Sequence, residues 1–254
     1  MAYYEQLLQM GCFTRDDVAA LTGNVKTADT VLYSHKKKGL VVSVKRNLYA
    51  AISLETKQPV ITPFEIASHI TEGAYLSHHS AFEYNGMANQ VFAEIYVSSP
   101  TRFSDFEFDG KTFEWISSKI ELGITSPARH IRVTSVERTI IDSIKDFPKI
   151  GGLEELLRCL SMVTYVNEAA LLSVLEAYGS QFLYQKTGYI LSHYKAGMKL
   201  SDAFFDVCKA KINKSVRYLY NGIQYEEPQF YSEWQLFAPA DLMKLIDEGG
   251  DAIV

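Results

Sequence analysis

Cationic side chains form two clusters near the amino end of the chain. The first is the run Lys36-Lys37-Lys38, and the second is the pair Lys45-Arg46, which Asn47 follows. Residues 1 to 60 carry eight Lys or Arg against five Asp or Glu, a surplus of +3 in a protein whose net charge is −5. A basic segment on an otherwise acidic chain indicates that this segment alone binds a polyanion.

The lysine run has a second interpretation. Three lysines at the C-terminal end of a helix also stabilise the helix dipole, so Lys36-Lys37-Lys38 alone would indicate only a solvated helix end. The second basic cluster at a predicted hairpin tip, together with the order of the elements around both clusters, favours contact with DNA. A module of the same shape that binds only protein is the alternative.

Three alternating carboxylates in the segment SDFEFD could perform a different chemistry. On a β-strand, a period of two would place Asp105, Glu107 and Asp109 on one face, where they could hold Mg²⁺ for phosphoryl transfer. The glycine-serine helix start of a nucleotidyltransferase does not precede them. The alternative is a solvated hairpin turn, with the aromatic rings of the segment packed beneath it. We assign no catalytic residue, no metal site and no cofactor.

Several other polar residues are candidates for metal binding or DNA contact. His78 and His79 are adjacent and diverge by about 100° on a helix, so they predict a helix cap with one buried histidine and not a zinc pair. Arg129, Arg132 and Arg138 are candidates to extend the DNA contact, and pairing with nearby acids is the alternative for Arg129 and Arg132. The three cysteines, Cys12, Cys159 and Cys208, are far apart and are interpreted as reduced packing residues.

The elements that position the basic clusters are short. Apolar spacing and caps predict helices over residues 3–10, 14–23 and 26–38, followed by a hairpin of strands 40–44 and 48–52. This order predicts a winged helix-turn-helix domain over residues 1–58, with the third helix in the major groove and the hairpin across the phosphate backbone. The predicted DNA-contacting residues are Lys26, Thr27, Thr30, Tyr33, Ser34, Lys36, Lys37, Lys38, Lys45, Arg46 and Asn47.

A polar linker with two prolines, SLETKQPVITP, separates this domain from a larger one over residues 59–254. The second domain is predicted to be mixed α/β and rich in helices, so the fold class is α+β. Strands are expected at 91–98, 111–117, 130–133, 216–220 and 231–237, with SDFEFDG irregular. Helices are expected at 63–70, 77–86, 153–162, 167–178, 181–193 and 201–212. A further helix is expected to begin with a capping box at 134–137 and to end at about Asp146, and a last short helix is expected to begin at Pro239. The clustered tyrosines are expected to line the core of this domain, although some could face a partner.

The chain has no apolar run long enough to span a membrane and no signal sequence at its start, so we expect a soluble, cytoplasmic protein without membrane contact.

Four segments carry a resemblance that covers about Tyr3 to Phe237. They are GLVVSVKRNLYAAI, LSHHSAFEYNGM, VTSVERTIIDSIKDFPKIGGLEELLRCL and the late pair VRYLYN and SEWQLF. Their order resembles the AbiEi family of transcriptional regulators, the antitoxins of type IV abortive-infection toxin-antitoxin systems. One departure is Asn85-Gly86, where that family often has a His-Gly pair.

The resemblance implies a DNA-binding transcriptional autorepressor that acts as an antitoxin. Its N-terminal domain would bind an operator with inverted repeats through residues 26 to 47, and its C-terminal domain would neutralise a nucleotidyltransferase-like toxin, for which direct binding is not required. The family supplies no catalytic residues. Two alternatives stay open at this point: a magnesium-dependent nucleotidyl- or phosphoryl-transfer enzyme with an accessory winged helix, and a protein-binding adaptor.

Overall fold

A computed structural model describes residues 2–247 of the 254-residue chain. Within this range the chain forms two compact units. Unit 1 comprises the residues up to Leu76 together with Phe92–Lys119 and Ser126–Val133, so it includes the described part of the predicted first domain. Unit 2 comprises Ser77–Val91, Ile120–Thr125 and the residues from Thr134 onward.

Helices and strands are numbered here in chain order. The α-helices are α1 (Tyr4–Met10), α2 (Arg15–Thr22), α3 (Val25–Lys37), α4 (Pro63–Ala67), α5 (His78–Tyr84), α6 (Val136–Lys145), α7 (Leu153–Ser161), α8 (Glu168–Tyr178), α9 (Gln181–Ser192), α10 (Lys195–Met198), α11 (Asp202–Ala210) and α12 (Lys244–Asp247). The strands are β1 (Cys12–Phe13), β2 (Val41–Lys45), β3 (Leu48–Ala51), β4 (Tyr75–Leu76), β5 (Glu94–Ser99), β6 (Phe106–Phe108), β7 (Lys111–Ser117), β8 (Ile124–Thr125), β9 (Val133–Thr134), β10 (Arg217–Tyr218), β11 (Gln229–Tyr231) and β12 (Leu236–Ala238). Short 3-10 helices cover Phe147–Ile150 and Ile223–Tyr225. The fold is mixed and of the α+β class, as predicted.

The first part of unit 1 is three helices and a hairpin, at the positions that the sequence predicted. Helix α2 begins with a capping box between Thr14 and Asp17, and Asn24 caps α3 by accepting hydrogen bonds from the N–H groups of Lys26 and Thr27. Strands β2 and β3 pair antiparallel, and β1 adds antiparallel to β3. A strand of two residues is too short to show a period, so the sequence did not reveal β1. The buried side chains beneath these elements are Leu7, Phe13, Val18, Ala28, Leu32, Val41 and Ala51.

The second part of unit 1 is a sheet with the strand order β6-β7-β5-β4-β9. Strands β5 and β7 run parallel, while β6 and β7 form an antiparallel hairpin. Asp109 and Gly110 make its turn with φ of 52° and 73°, the pair of positive values that a type I′ two-residue hairpin turn requires. The segment SDFEFDG is therefore partly strand, so its predicted irregular structure was wrong, whereas the hairpin turn given as the alternative to a metal site is present.

Unit 2 is mainly helical. Its core contains Ile140, Ile141 and Ile144 of α6, packed with apolar residues of α7, α8, α9 and α11. A small sheet has the order β10-β12-β11, with β10 parallel and β11 antiparallel to β12. The predicted strand over residues 231–237 was wrong, because Gln235 has a positive φ of 47° and the chain turns there between β11 and β12.

The start of α6 also differs from the prediction. Ser135, and not Thr134, is the N-cap residue, and its hydroxyl accepts from the N–H of Arg138. The Glu137 carboxylate accepts from the N–H of Asn167 at 3.0 Å, so it stabilises the beginning of α8 and does not close a capping box. Thr134 instead shares a hydrogen bond of 2.7 Å with the hydroxyl of Thr139.

Among residues 2–247, no helix combines the length and apolar character needed to cross a membrane. The three cysteines are free and buried, as predicted.

Candidate nucleic-acid interface

Helix α3 presents one exposed polar stripe. Lys26, Thr30, Tyr33 and Lys37 are spaced at i, i+4, i+7 and i+11, so they share one side of the helix, and all four are exposed. The Tyr33 side chain is 69% exposed. The opposite side holds Ala28, Leu32 and His35, which are buried in unit 1. The stripe therefore faces away from the core, and we call these four residues the α3 stripe.

An ion pair stands beside the stripe. Asp29 is the acidic residue of α3, and its carboxylate receives two hydrogen bonds from the Arg15 guanidinium, at 2.6 and 2.7 Å. The hydrogen bond to Arg15 lowers the pKa of Asp29, so the carboxylate is charged and compensated. The positive charge of Arg15 therefore compensates the negative charge of Asp29 next to Lys26 and Tyr33.

Lys36 connects α3 to the hairpin. Its ammonium nitrogen donates to the Ser43 hydroxyl of β2 at 2.8 Å and lies 5.7 Å from the centroid of the Tyr49 ring of β3. Lys36 is nevertheless exposed, as are Lys37 and Lys38. A groove of about 540 Å³, lined by Tyr33, Lys36, Lys37 and Tyr49 among others, runs beside the α3 stripe.

The hairpin tip contains an exposed cation, Arg46, and a residue with a structural role, Asn47. Asn47 has φ of 62°, a left-handed conformation that asparagine tolerates better than most residues. Its side-chain oxygen accepts from the backbone N–H of Arg15 at 3.2 Å, so it fastens the tip to the start of α2. Asn47 therefore has a structural role, whatever its contact with DNA.

Lys45 lies apart from Arg46. It is half-buried, and its ammonium nitrogen lies 4.9 Å from the ring centroid of Phe103 and 5.4 Å from that of Phe106. Burial lowers the pKa of the Lys45 ammonium. The structure thus places this predicted DNA-contacting cation over aromatic rings of unit 1, a contact with no signal in the local sequence.

The remaining predicted residues flank the stripe. Thr27 is exposed at the capped start of α3, and Ser34 is half-buried on the same flank. Lys38 follows α3 and donates its backbone N–H to the Ser34 carbonyl at 3.1 Å. The structure therefore brings together Lys26, Thr30, Tyr33 and Lys37 as one surface, with the other residues at its edges.

Arg138 does not extend this surface. It is fully buried in unit 2, donates to the Asp142 carboxylate at 2.6 Å and reaches the Leu122 carbonyl at 2.9 Å. The hydroxyl of Tyr178 also contacts both charged groups, at 3.1 Å from Arg138 and 2.5 Å from Asp142. Arg138 is thus the buried centre of a hydrogen-bond network, and the expectation that it could track DNA was wrong. Arg129 is exposed and Arg132 half-buried.

The acidic trio does not form a common metal site. Asp105 accepts a hydrogen bond from the N–H of Trp115 at 2.8 Å, Glu107 lies in β6, and Asp109 forms the hairpin turn. Across residues 2–247, no group of three or more His, Cys, Asp or Glu side chains is arranged to hold a metal ion.

The paired histidines of α5 are both buried, although one buried histidine was expected. His78 is 4% exposed and His79 is 0% exposed. Burial lowers the pKa of His78 to about 4, so its ring is neutral at pH 7. His79 lies 3.3 Å from the Glu155 carboxylate, which also accepts from the N–H groups of Asn89 and Gln90. Through Glu155, these contacts join the loop after α5 to α7.

No protein-family model matches the chain. No curated protein matches it either. The structure is similar to the crystal structure of the RV2827C protein from Mycobacterium tuberculosis, with a TM-score of 0.64 and 17% sequence identity over 98% of this chain and 93% of that chain. At this identity the likeness shows the fold alone.

Proposed function

We propose that the chain is a DNA-binding transcriptional autorepressor whose first part is a winged helix-turn-helix. The α3 stripe is the observation that carries this proposal. It joins two lysines, a threonine and a highly exposed tyrosine on the solvent side of a helix whose other side is buried. Lysine neutralises phosphates and donates to base acceptors, while threonine and tyrosine hydroxyls donate or accept, so the stripe suits a major groove.

In this proposal α3 enters the major groove and the β2–β3 hairpin lies over the adjacent backbone. Arg46 contacts a phosphate from the hairpin tip, and Lys36 and Lys38 meet phosphates at the edge of the groove. Lys45 and Asn47 act mainly by holding the hairpin in place, because their polar groups contact Phe103 and Arg15. The proposed contact set is therefore narrower than the sequence alone predicted.

A gel-shift titration tests the proposal with the duplex that lies upstream of the chain's own gene and a scrambled duplex of equal length. The Lys37→Glu variant is compared with Lys57→Glu, which makes the same charge change at an exposed lysine outside α3 and the hairpin. We expect Lys37→Glu to lose binding and Lys57→Glu to retain it. The affinity of the wild-type protein for the duplex should fall steeply as the salt concentration rises, because each phosphate contact releases counterions. Equal behaviour of the two variants would contradict the assignment.

The antitoxin role is part of the proposal and rests on the resemblance of the four sequence segments to the AbiEi family. We propose that unit 2 carries the activity that neutralises a nucleotidyltransferase-like toxin, while the α3 stripe represses the operon. Coexpression with a nucleotidyltransferase-like protein from the same operon tests this division. The Lys37→Glu variant should lose repression of a reporter and still rescue growth. A wild-type chain that fails to rescue growth would refute the antitoxin role without affecting DNA binding.

A further inference from the structure

Unit 2 contains a cavity of about 520 Å³. Phe147 and Phe182 form part of its wall, Tyr218 and Tyr220 form another part, and Lys186 of α9 lines it as well. Cavities of about 300 to 1,000 Å³ accommodate small organic molecules. We call this space the Lys186 cavity.

The ammonium group of Lys186 is the unusual feature of the cavity. The residue is only 9% exposed, and its nitrogen lies 4.4 Å from the Phe147 ring centroid and 4.7 Å from that of Phe182. Among residues 2–247 it forms neither an ion pair nor a hydrogen bond. Asp146 acts on it from beyond ion-pair distance. Because the Lys186 side chain is largely buried and its ammonium has no direct anion, the site favours an anion that would pair with this ammonium.

The start of α7 adds a second source of positive potential. Gly152 and Leu153 line the same cavity, and no side chain caps the N-terminus of this nine-residue helix. The first N–H groups of a helix lack intrahelical acceptors and attract anions. Lys145 at the end of α6 also lines the cavity. Lys186 and an uncapped helix start therefore share one aromatic-walled space, whereas the Lys145 ammonium lies 5.6 Å from the ring centroid of Tyr178.

We propose that the Lys186 cavity binds a small organic anion, in which a carboxylate, phosphate or sulfonate group is attached to a planar apolar body. The anionic group would pair with Lys186 near the start of α7, and the planar body would stack between the aromatic walls. This inference is independent of DNA binding, because it uses only residues of unit 2.

The full-length protein can be titrated with naphthoate, and separately with the neutral isostere naphthamide, while calorimetry or tyrosine fluorescence is recorded at pH 7. We expect one saturable site that binds naphthoate at least about tenfold more tightly than naphthamide, as one charge-assisted contact would give. The Lys186→Met variant should abolish this preference. The Lys211→Met variant, at an exposed lysine after α11, should preserve it.

Three results would overturn the proposal: no saturable binding of naphthoate, equal binding of the two probes, or a preference that survives in Lys186→Met. The wild-type protein supplies a second measurement that does not depend on a variant. Burial lowers the pKa of Lys186 to about 8, so the preference for naphthoate should decline between pH 7 and pH 9.5. The charged groups around Lys186 are Lys145 and Asp146.

The Tyr220 hydroxyl in the cavity wall does not reproduce this titration. Burial, together with a hydrogen bond of 2.6 Å to the Glu226 carboxylate, raises the pKa of Tyr220, so its hydroxyl stays protonated over this range. A naphthoate preference that does not change with pH would count against Lys186 as the anion-binding group.

Discussion

The ammonium nitrogen of Lys45 lies 4.9 Å from the centroid of the Phe103 ring, whereas its sequence neighbour Arg46 is exposed. Two adjacent cations of one hairpin thus have different surroundings. Arg46 is available to a phosphate, while Lys45 packs its side chain on an aromatic surface and gains a cation–π contact. We therefore propose a DNA-binding role for Arg46 and a structural role for Lys45.

The first prediction concerns this pair. Arg46→Ala should reduce affinity for the upstream duplex and lower the slope of log K against log salt by about 1, the value expected for one phosphate contact. Lys45→Met keeps the stem that packs on Phe103 and Phe106 and should change affinity by less than about threefold. Gel shifts at several salt concentrations measure both effects. Equal losses for the two variants would refute the separation.

The second prediction concerns the ion pair between Arg15 and Asp29. Arg15→Ala leaves the Asp29 carboxylate uncompensated beside the α3 stripe, so DNA affinity should fall roughly two- to fivefold through repulsion of phosphates. Adding Asp29→Ala to that variant should restore most of the loss. A double-mutant cycle measured by fluorescence anisotropy isolates this coupling. If the second substitution restores nothing, Arg15 contacts DNA directly.

The third prediction concerns the positive φ of Asn47. Asn47→Ala should destabilise the protein by about 1–2 kcal/mol, because alanine is strained in the left-handed region and cannot accept from Arg15. Asn47→Gly loses the same hydrogen bond without the strain and should cost less. Urea denaturation of the two variants compares the free energies of unfolding. A glycine variant that is less stable than the alanine variant would contradict the explanation.

The fourth prediction concerns the contact between α9 and Trp234. A Cβ atom on Gly188 would lie 2.0 Å from the Trp234 ring, so Gly188→Ala should overpack the core and cost about 3 kcal/mol or more. Gly197 lies in α10, and an added Cβ would have no heavy atom within 4 Å apart from its own helix backbone and chain neighbours. Gly197→Ala should therefore be neutral or stabilising by up to about 1 kcal/mol. Thermal denaturation distinguishes the two substitutions.

The fifth prediction concerns the stability cost of Lys186. Its pKa falls from 10.5 in the unfolded chain to about 8 in the folded one, chiefly through burial. Between these values the unfolded state binds more protons, so this group makes stability increase with pH in that window. Lys186→Met should therefore be more stable than wild type at pH 7, by about 1–3 kcal/mol.

The stabilising effect of Lys186→Met should shrink as pH rises from 7 to 10, because the wild-type ammonium loses its proton. Urea denaturation of both proteins at each pH isolates this group, since the other titrations cancel in the difference. A variant that is less stable than wild type at pH 7 would show that the cation–π contacts outweigh the burial cost.

Local sequence signals determined much of the first part of the chain. Helix α3 follows from the predicted inward side of Val31, Leu32 and His35, of which Leu32 and His35 are buried and Val31 half-buried, and α2 begins at the predicted Thr14 cap. These features depend on residues a few positions apart. A helix buries one side and exposes the other wherever it packs, so the exposure of Lys26 and Lys37 was predictable.

The tertiary structure alone decided which polar residues are withdrawn from solvent. The Lys45 ammonium lies over the ring of Phe103. Arg138 donates hydrogen bonds to the Asp142 carboxylate and to the Leu122 carbonyl. The Lys186 ammonium lies over the rings of Phe147 and Phe182. Most of these contacts join segments distant in sequence, and a linear pattern records a residue's charge but not its neighbours. A cation can bind a phosphate, pair with a buried carboxylate or line a cavity. Which of these it does depends on its desolvation and its neighbours, and both are set only when the chain is packed.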